Sequence, residues 1–236
     1  FTMSRVSSLK PLNWLVTYQP GTYAWYQMIT AALFIQGQSL TLSSERTPLK
    51  LIEVALERKV TAISATPTFW RLALLHFSDE TLKNLELKQI TLGGERVDQT
   101  ILDQLRFLFP NALLTHIYAS TEAGACIAVR DGKEGFPVAW LSETDEKSIQ
   151  NEKPLLRIRN GELWLCSPYA AFSESEWINS HDAVEIRGDR VIILGRSSNA
   201  VINTGGIKIA VCDIEKCLWE HPSIIWCRVF GQKAPL

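Results

Sequence analysis

The sequence lacks the features that mark several large classes of protein. Its 24 Lys and Arg residues are balanced by 25 Asp and Glu residues, for a formal net charge of -1, so no basic field that would attract nucleic acid is visible. No apolar run reaches the roughly 18 residues that a membrane-spanning helix needs, and the opening FTMSRVSSLK has no apolar signal-peptide core. We therefore expect no membrane span and no nucleic-acid partner.

Cysteine is scarce, and its spacing points to no cross-link. The five cysteines are Cys126, Cys166, Cys212, Cys217 and Cys227. Their number is odd and no pair has the C-x-x-C spacing, which argues against a disulfide framework or a zinc site. We therefore expect reduced thiols and a cytoplasmic location.

The first half of the chain alternates segments with the composition of strands and of helices. Strands are predicted at NWLVTY, QSLTLSS, VTAISAT, LKQITLGG and ALLTHIYA. Helices are predicted at TYAWYQMITAALFIQ, TPLKLIEVALERK, PTFWRLALLHF and DQTILDQLRFLF, the third opened by Pro67. This alternation predicts an α/β subdomain over residues 1–130, with a mainly parallel sheet and flanking helices.

The second half has shorter, β-like pieces. RNGE and IRGDRV read as tight turns between strands, which predicts a small antiparallel β subdomain over 131–196, while the charged LSETDEKSIQNEK reads as an exposed loop. After GRSSN, the segment IKIAVCDIEKCLWEHPSI predicts a strand and a helix, and IIWCRVFG a further strand. Residues 197–236 are too few for an independent core, so we expect the incomplete beginning of another domain.

Two segments whose side chains could bind a ligand lie at predicted strand ends, where parallel sheets bind ligands. In IYASTEAGA, the hydroxyls of Ser120 and Thr121 suit phosphate oxygens, the Glu122 carboxylate suits Mg²⁺, and Tyr118 offers a stacking face. The paired glycines of GGER let a ligand lie against bare backbone. The alternatives stay open: GGER as a plain strand-to-helix turn, and YASTE as a loop whose hydroxyls satisfy its own backbone.

A second pair of candidates lies in the β-like half. Asp182, just before a strand in SHDAVEI, is either a turn residue or a carboxylate that accepts both hydroxyls of a ribose. Arg196 ends the next strand and is followed by small polar residues. That arrangement is typical of a hinge with a charged anchor.

Taken in order, GGER, YASTE, GELWL, HDAVEIRGDRVIILGR and INTGGIKIAVCDIEKCLWEHPSI resemble the adenylate-forming superfamily. This superfamily contains the acyl- and aryl-CoA synthetases, the adenylation domains of peptide synthetases, and luciferases. YASTEAG is similar to its Tyr-Gly-x-Thr-Glu core, and the resemblance runs from about Leu12 to Leu236. It implies that residues 197–236 begin the family's C-terminal lid domain.

The resemblance implies a nucleotide site in the first half. Tyr118 would stack on adenine, Thr121 would hydrogen-bond the α-phosphate of ATP, and Glu122 would coordinate Mg²⁺. Gly94, Glu95 and Arg96 would cover the other face of adenine, and His116 would lie near the adenine amine.

It also implies roles for residues of the second half. Asp182, helped by Arg196, would hold the ribose hydroxyls. Ser198 stands at the hinge, where the family usually has Asp or Lys. Lys208 matches the basic residue of the lid's first strand, and would act with Thr121 and Glu122 in catalysis.

The acid substrate is less defined. Amino-acid-activating members carry a Phe-Asp pair that falls on Tyr23 and Ala24, so an amino acid is disfavoured because the carboxylate is missing. Thr22 stands where many acyl and aryl members have His. Tyr23, Trp25 and Tyr26 form either an aromatic pocket wall or ordinary core. The resemblance leaves the thiol acceptor open between coenzyme A and a carrier protein.

The resemblance implies activation of a carboxylic acid as acyl-AMP, followed by thioester formation. The family's phosphate loop would precede LNWLVTY and its lid lysine would follow Leu236, so we expect these 236 residues alone to adenylate poorly. A non-catalytic nucleotide- or protein-binding remnant is the alternative. A hydrolase using Ser120 is disfavoured because YASTE lacks the G-x-S-x-G elbow.

Overall fold

The computed structural model describes residues 11–120, 124–142, 154–168, 177–204, 207–221, 223–224 and 226–231. These residues divide into two compact units, the first ending at Glu134 and the second beginning at Gly135. Within them, no helix is both long and apolar enough to cross a membrane. The three-part division of the chain at residues 130 and 196 stays a prediction.

A six-stranded sheet organises the first unit. Its strands are β1 (Leu12–Val16), β2 (Gln38–Thr41), β3 (Ala62–Ala65), β4 (Gln89–Leu92), β5 (Leu113–Ser120) and β6 (Gly124–Val129). They lie in the order β2-β1-β3-β4-β5-β6. β1 to β5 are mutually parallel and β6 is antiparallel to β5, so the predicted mainly parallel sheet is confirmed.

Helices connect the parallel strands. They are α1 (Tyr23–Phe34), α2 (Pro48–Glu57), α3 (Pro67–His76), α4 (Asp79–Lys83) and α5 (Gln99–Leu108). A side-chain oxygen caps the start of each one, and for α2 and α3 a Thr-Pro pair provides both the cap and the first helical residue. The short α4 was not predicted.

The two faces of this sheet carry separate cores. On one face, apolar residues of α2, α3 and α5 pack around the fully buried Trp70. On the other face, Met28 of α1 packs with Trp14 and its neighbours on β1. The indole of Trp14 donates to Gln38 Oε1 at 2.7 Å, so this buried polar group is paired.

The second unit contains an antiparallel sheet. Its strands are β7 (Phe136–Pro137), β8 (Leu155–Arg159), β9 (Glu162–Cys166), β10 (Ile178–Arg187) and β11 (Arg190–Arg196), in the order β7-β11-β10-β9-β8. Asn160 and Gly161 link β8 to β9 with φ of 52° and 76°, the two positive values that a type I′ hairpin turn requires. The predicted small antiparallel sheet is confirmed.

The last described elements are a hairpin and a helix: β12 (Val201–Thr204), β13 (Ile207–Ala210) and α6 (Val211–Trp219). The strand and helix predicted at IKIAVCDIEKCLWEHPSI are present, but β12 was missed. The strand predicted at IIWCRVFG is wrong over residues 226–231, which are irregular. The amide of Val229 donates to Glu215 Oε1 at 3.2 Å instead of to a neighbouring strand. Residues 143–153, most of the predicted loop LSETDEKSIQNEK, lie outside the described residues.

Candidate functional site

The GGER and YASTE segments follow adjacent strands. Leu92, the last residue of β4, pairs with His116 of β5, so Gly93 and Gly94 lie beside the end of β5 at the carboxyl edge of the sheet. Gly94 has φ of 80°, a conformation that favours glycine. The two segments predicted at strand ends therefore lie side by side, as far as Ser120.

Glu95 connects the glycine turn to the first turn of α3. Its Oε2 accepts the Thr68 amide at 3.0 Å and the Thr68 hydroxyl at 2.6 Å. The carboxylate thus satisfies an amide that a helix start leaves without an internal partner. Arg96, next along the chain, is half-buried.

Alternation along β5 distributes its side chains to the two sheet faces. Leu114 belongs to the core that contains Trp70, and His116 and Tyr118 share its face by period. His116 is buried and Tyr118 is half-buried. Thr121 and Glu122 lie outside the described residues, so their roles stay predictions.

A cavity lies on the other face, between α1 and the strands, with a solvent-accessible volume of about 140 Å³. It is lined by Trp14, Tyr18, Tyr23, Ala24, Gln27, Met28, Ser64, Gln89, Thr91, Gly93, Gly94, Thr115, Ile117, Ala119, Ala128 and Arg130. The cavity therefore reaches the glycine turn at the carboxyl edge. We refer to it as the α1 cavity.

The three predicted pocket residues have different positions. Tyr23 lines the α1 cavity. Thr22 caps α1, with its hydroxyl accepting the Trp25 amide at 3.3 Å and donating to Gln19 O at 2.8 Å. Trp25 is half-buried and its ring meets Tyr26 edge-on, with centroids 4.9 Å apart.

Sequence reasoning missed a row of hydroxyls in the cavity floor. Ser64 pairs with Thr91, and Thr91 with Thr115, across three parallel strands. In-register neighbours share a face, and all three line the α1 cavity. Gln89 lies two residues before Thr91 on the same face. The sequence signal that could have revealed this row is a polar residue at alternate positions of β3, β4 and β5, which are otherwise apolar.

Tyr18 follows β1 at the same edge. Its hydroxyl lies 3.3 Å from Ser64 Oγ. Burial is the main cause that raises the pKa of Tyr18 to about 12, and the Ser64 hydrogen bond partly offsets it. The phenol is therefore neutral at physiological pH.

In the second unit, Asp182 and Arg196 are paired residues of β10 and β11. Arg196 Nε lies 3.5 Å from Asp182 Oδ1, and Arg196 Nη1 donates to Ser180 O at 2.5 Å. The Asp182 amide donates to Ser180 Oγ at 3.2 Å. His181 between them has φ of 57°, which is uncommon for a residue other than glycine. The carboxylate is therefore held in a defined position beside a cation.

The predicted hinge residue lies in the turn after β11. Ser198 is exposed, and the amides of Asn199 and Ala200 both donate to Arg196 O, at 2.9 and 2.8 Å. Lys208 pairs with Asn203 in the β12-β13 hairpin; the structure describes its backbone and not its side chain.

Among the described residues, no cluster of three His, Cys, Asp or Glu side chains could hold a metal ion. The magnesium prediction rests on Glu122, which those residues do not include. It therefore stays a prediction.

Sequence comparison defines the class of protein. The sequence pattern of the AMP-binding enzyme family matches residues 13–171, and the chain belongs to this family. It is 28% identical to the 4-coumarate–CoA ligase of Pinus taeda over 167 residues, which are 61% of this chain and 31% of that protein.

Solved structures share the fold. An anthranilate CoA ligase in complex with anthranoyl-AMP matches with a TM-score of 0.70 at 17% identity, covering 97% of this chain and 49% of that one. A second match is the o-succinylbenzoate CoA synthetase from Bacillus subtilis in complex with the acyl-adenylate intermediate OSB-AMP. Its TM-score is 0.66 at 18% identity, and the match covers 99% of this chain and 51% of that one. The chain thus spans about a third of the coumarate ligase and about half of each solved chain.

Proposed function

We propose that the protein activates a carboxylic acid with ATP. A carboxylate oxygen attacks the α-phosphorus, pyrophosphate leaves, and the acyl-AMP then passes its acyl group to a thiol of coenzyme A or a carrier protein. The observation that carries this proposal is that the α1 cavity reaches Gly93 and Gly94, beside the strand end that carries Tyr118. Membership of the AMP-binding family and similarity to ligases named for 4-coumarate and anthranilate support it.

The first unit would bind and orient the reactants. Bare backbone at Gly94 leaves room for close approach of the nucleotide, and Tyr118 would stack on adenine, with Glu95, Arg96 and His116 around it. Holding the acid in the α1 cavity at this edge favours attack by proximity. Mg²⁺, held by Glu122 beside Thr121, would supply neutralisation of phosphate charge.

The second unit would contribute to nucleotide binding and closure. The Asp182 carboxylate, held by Arg196, would accept the ribose hydroxyls. The turn at Ser198 would serve as hinge, and Lys208 would act from the β12-β13 hairpin.

Binding of a stable acyl-AMP mimic tests this proposal on the 236-residue chain. We expect calorimetry to detect binding of an aryl-sulfamoyl adenosine and of AMP, and we expect Tyr118→Ala to weaken the binding of both compounds. No binding of either compound would refute the proposed site. ATP–pyrophosphate exchange on the same preparation then tests catalysis: exchange supports the ligase, and binding without exchange supports the non-catalytic alternative.

A further inference from the structure

The walls of the α1 cavity suit a flat ring. Gly93, Ala119 and Ala128 present little or no side chain, and the aromatic rings of Trp14 and Tyr23 supply apolar surface. Aromatic groups pack favourably against other rings and fill narrow spaces between sheet and helix.

The cavity floor offers hydrogen bonds that the protein leaves unused. Thr115 is only 4% exposed, and its Oγ1 has no hydrogen-bond partner within the described residues. Gln89 is 5% exposed; its backbone amide donates to Thr61 O at 3.3 Å, and its side-chain amide has no hydrogen bond among the described residues. On the same face, the buried indole of Trp14 is paired with Gln38. Buried polar groups are normally paired, so an unused hydroxyl and amide in a cavity indicate a polar ligand atom.

The depth of these groups sets the length of that ligand. Thr115 lies two residues before Ile117, and Gln89 four residues before Gly93, which places them about 7 and 13 Å from the carboxyl edge of the sheet. A benzoic acid with an oxygen opposite its carboxylate spans the shorter distance. A hydroxylated acid with a longer link to the ring would approach Gln89.

The charges along the cavity agree with an oxygen at the far end. Among the described residues that line the cavity, none is Asp or Glu, and Arg130 is a cation. A protonated amine would find no carboxylate among these described residues, whereas a phenolic hydroxyl at the depth of Thr115 can donate to or accept from its Oγ1.

We propose that the α1 cavity selects aromatic acids that carry a hydroxyl opposite the carboxylate, with Thr115 as a specificity-determining residue. This inference rests on the proposed function only for the orientation of the acid. An aliphatic acid of the same length would leave the Thr115 hydroxyl unpaired. Such an unpaired group is a strong source of discrimination between ligands.

Calorimetry on the 236-residue chain without nucleotide tests the selection. We expect 4-hydroxybenzoate to bind about tenfold more tightly than benzoate, equal to one hydrogen bond of ~1.4 kcal/mol, and more tightly than hexanoate. Thr115→Val should remove the advantage of the hydroxyl and leave benzoate binding unchanged, while Thr115→Ser should retain it. Thr115→Val should also raise Tm, because it deletes an unpaired buried hydroxyl.

A matched control lies on β2. Thr41 Oγ1 donates to Asn13 Oδ1 at 2.9 Å and does not line the α1 cavity. Thr41→Val should therefore lower Tm and leave the preference for 4-hydroxybenzoate intact.

Three results would overturn the inference: equal binding of benzoate and 4-hydroxybenzoate by the unaltered chain, a preference that survives Thr115→Val, or no binding of any acid. If Thr115→Val does not fold, the unaltered chain and Thr115→Ser still decide. These measurements use neither ATP nor turnover. Failure of pyrophosphate exchange therefore bears on the proposed function alone, and loss of hydroxyl preference bears on this inference alone.

Discussion

The contact between Glu95 and Thr68 gives the sharpest test of how the turn after β4, which we propose contacts the nucleotide, is positioned. One carboxylate oxygen accepts two hydrogen bonds from one residue, at 3.0 and 2.6 Å. Hydrogen bonds to a charged group contribute about 1.5–3 kcal/mol each when shielded. Glu95 is exposed and Thr68 half-buried, so screening reduces the pair to roughly 1–2 kcal/mol in total.

A double-mutant cycle isolates this contribution. Glu95→Gln removes the charge with little change of shape, and Thr68→Val removes the hydroxyl while leaving the amide. We expect the two changes to be non-additive by about 1 kcal/mol in the free energy of unfolding, measured by urea denaturation of the four proteins. Each single variant should also weaken AMP binding several-fold, because the turn that follows β4 loses its link to α3.

Glu53→Gln provides the control. Glu53 forms a surface ion pair with Lys50 at 2.7 Å, both side chains being about half exposed, and such pairs contribute about 0–1 kcal/mol. AMP binding should not change. A coupling energy below about 0.3 kcal/mol between Glu95 and Thr68 would lie within additivity error and would refute the view that this contact holds the turn.

Three further outcomes follow from contacts in the two units. The pKa of Tyr18 is raised in the folded chain, so the folded chain binds the phenolic proton more tightly than the unfolded chain and loses stability as the pH rises from about 10 to 12. Tyr18→Phe should make this loss smaller, measured as Tm against pH. Asp98→Ala should destabilise by about 3 kcal/mol in urea, because Asp98 caps α5 and forms a buried ion pair with Arg71; Asp98→Asn, which keeps the cap, should cost less. Asp182→Asn should weaken AMP binding by roughly 2–4 kcal/mol in calorimetry, and an unchanged Kd would leave Asp182 with only a structural role beside Arg196 in the β10-β11 pair.

Local chemistry made much of the first unit predictable. Thr-Pro pairs at Thr47 and Thr66 give both a cap and a first helical residue, and the strands between helices are short and apolar. The sequence did not reveal that β6 runs antiparallel to β5, or that β2 forms the edge of the sheet. Strand order depends on which faces the helices cover, and several orders satisfy the same local pattern.

Two errors have a common physical origin. IIWCRVFG has the apolar, β-branched composition of a strand, but a strand forms only where a neighbour accepts its amides, and the Val229 amide is taken by the Glu215 side chain. The missed hydroxyl row is the converse case. Ser64, Thr91 and Thr115 lie far apart in the sequence, and only the register of three strands brings them together. Both features depend on pairing, which composition does not encode.

The same register explains how one strand would contribute to both of the proposed binding sites. On β5, His116 and Tyr118 alternate with Thr115, Ile117 and Ala119, so the residues proposed for the nucleotide and those of the α1 cavity lie on opposite faces. A slip of one residue would exchange the two sets. Leu114, buried in the Trp70 core, opposes such a slip because it would move into the cavity and place Thr115 among apolar side chains. The apolar packing on one face of the sheet therefore fixes the polar floor on the other, and substitutions at Leu114 should disturb acid selection without contacting the acid.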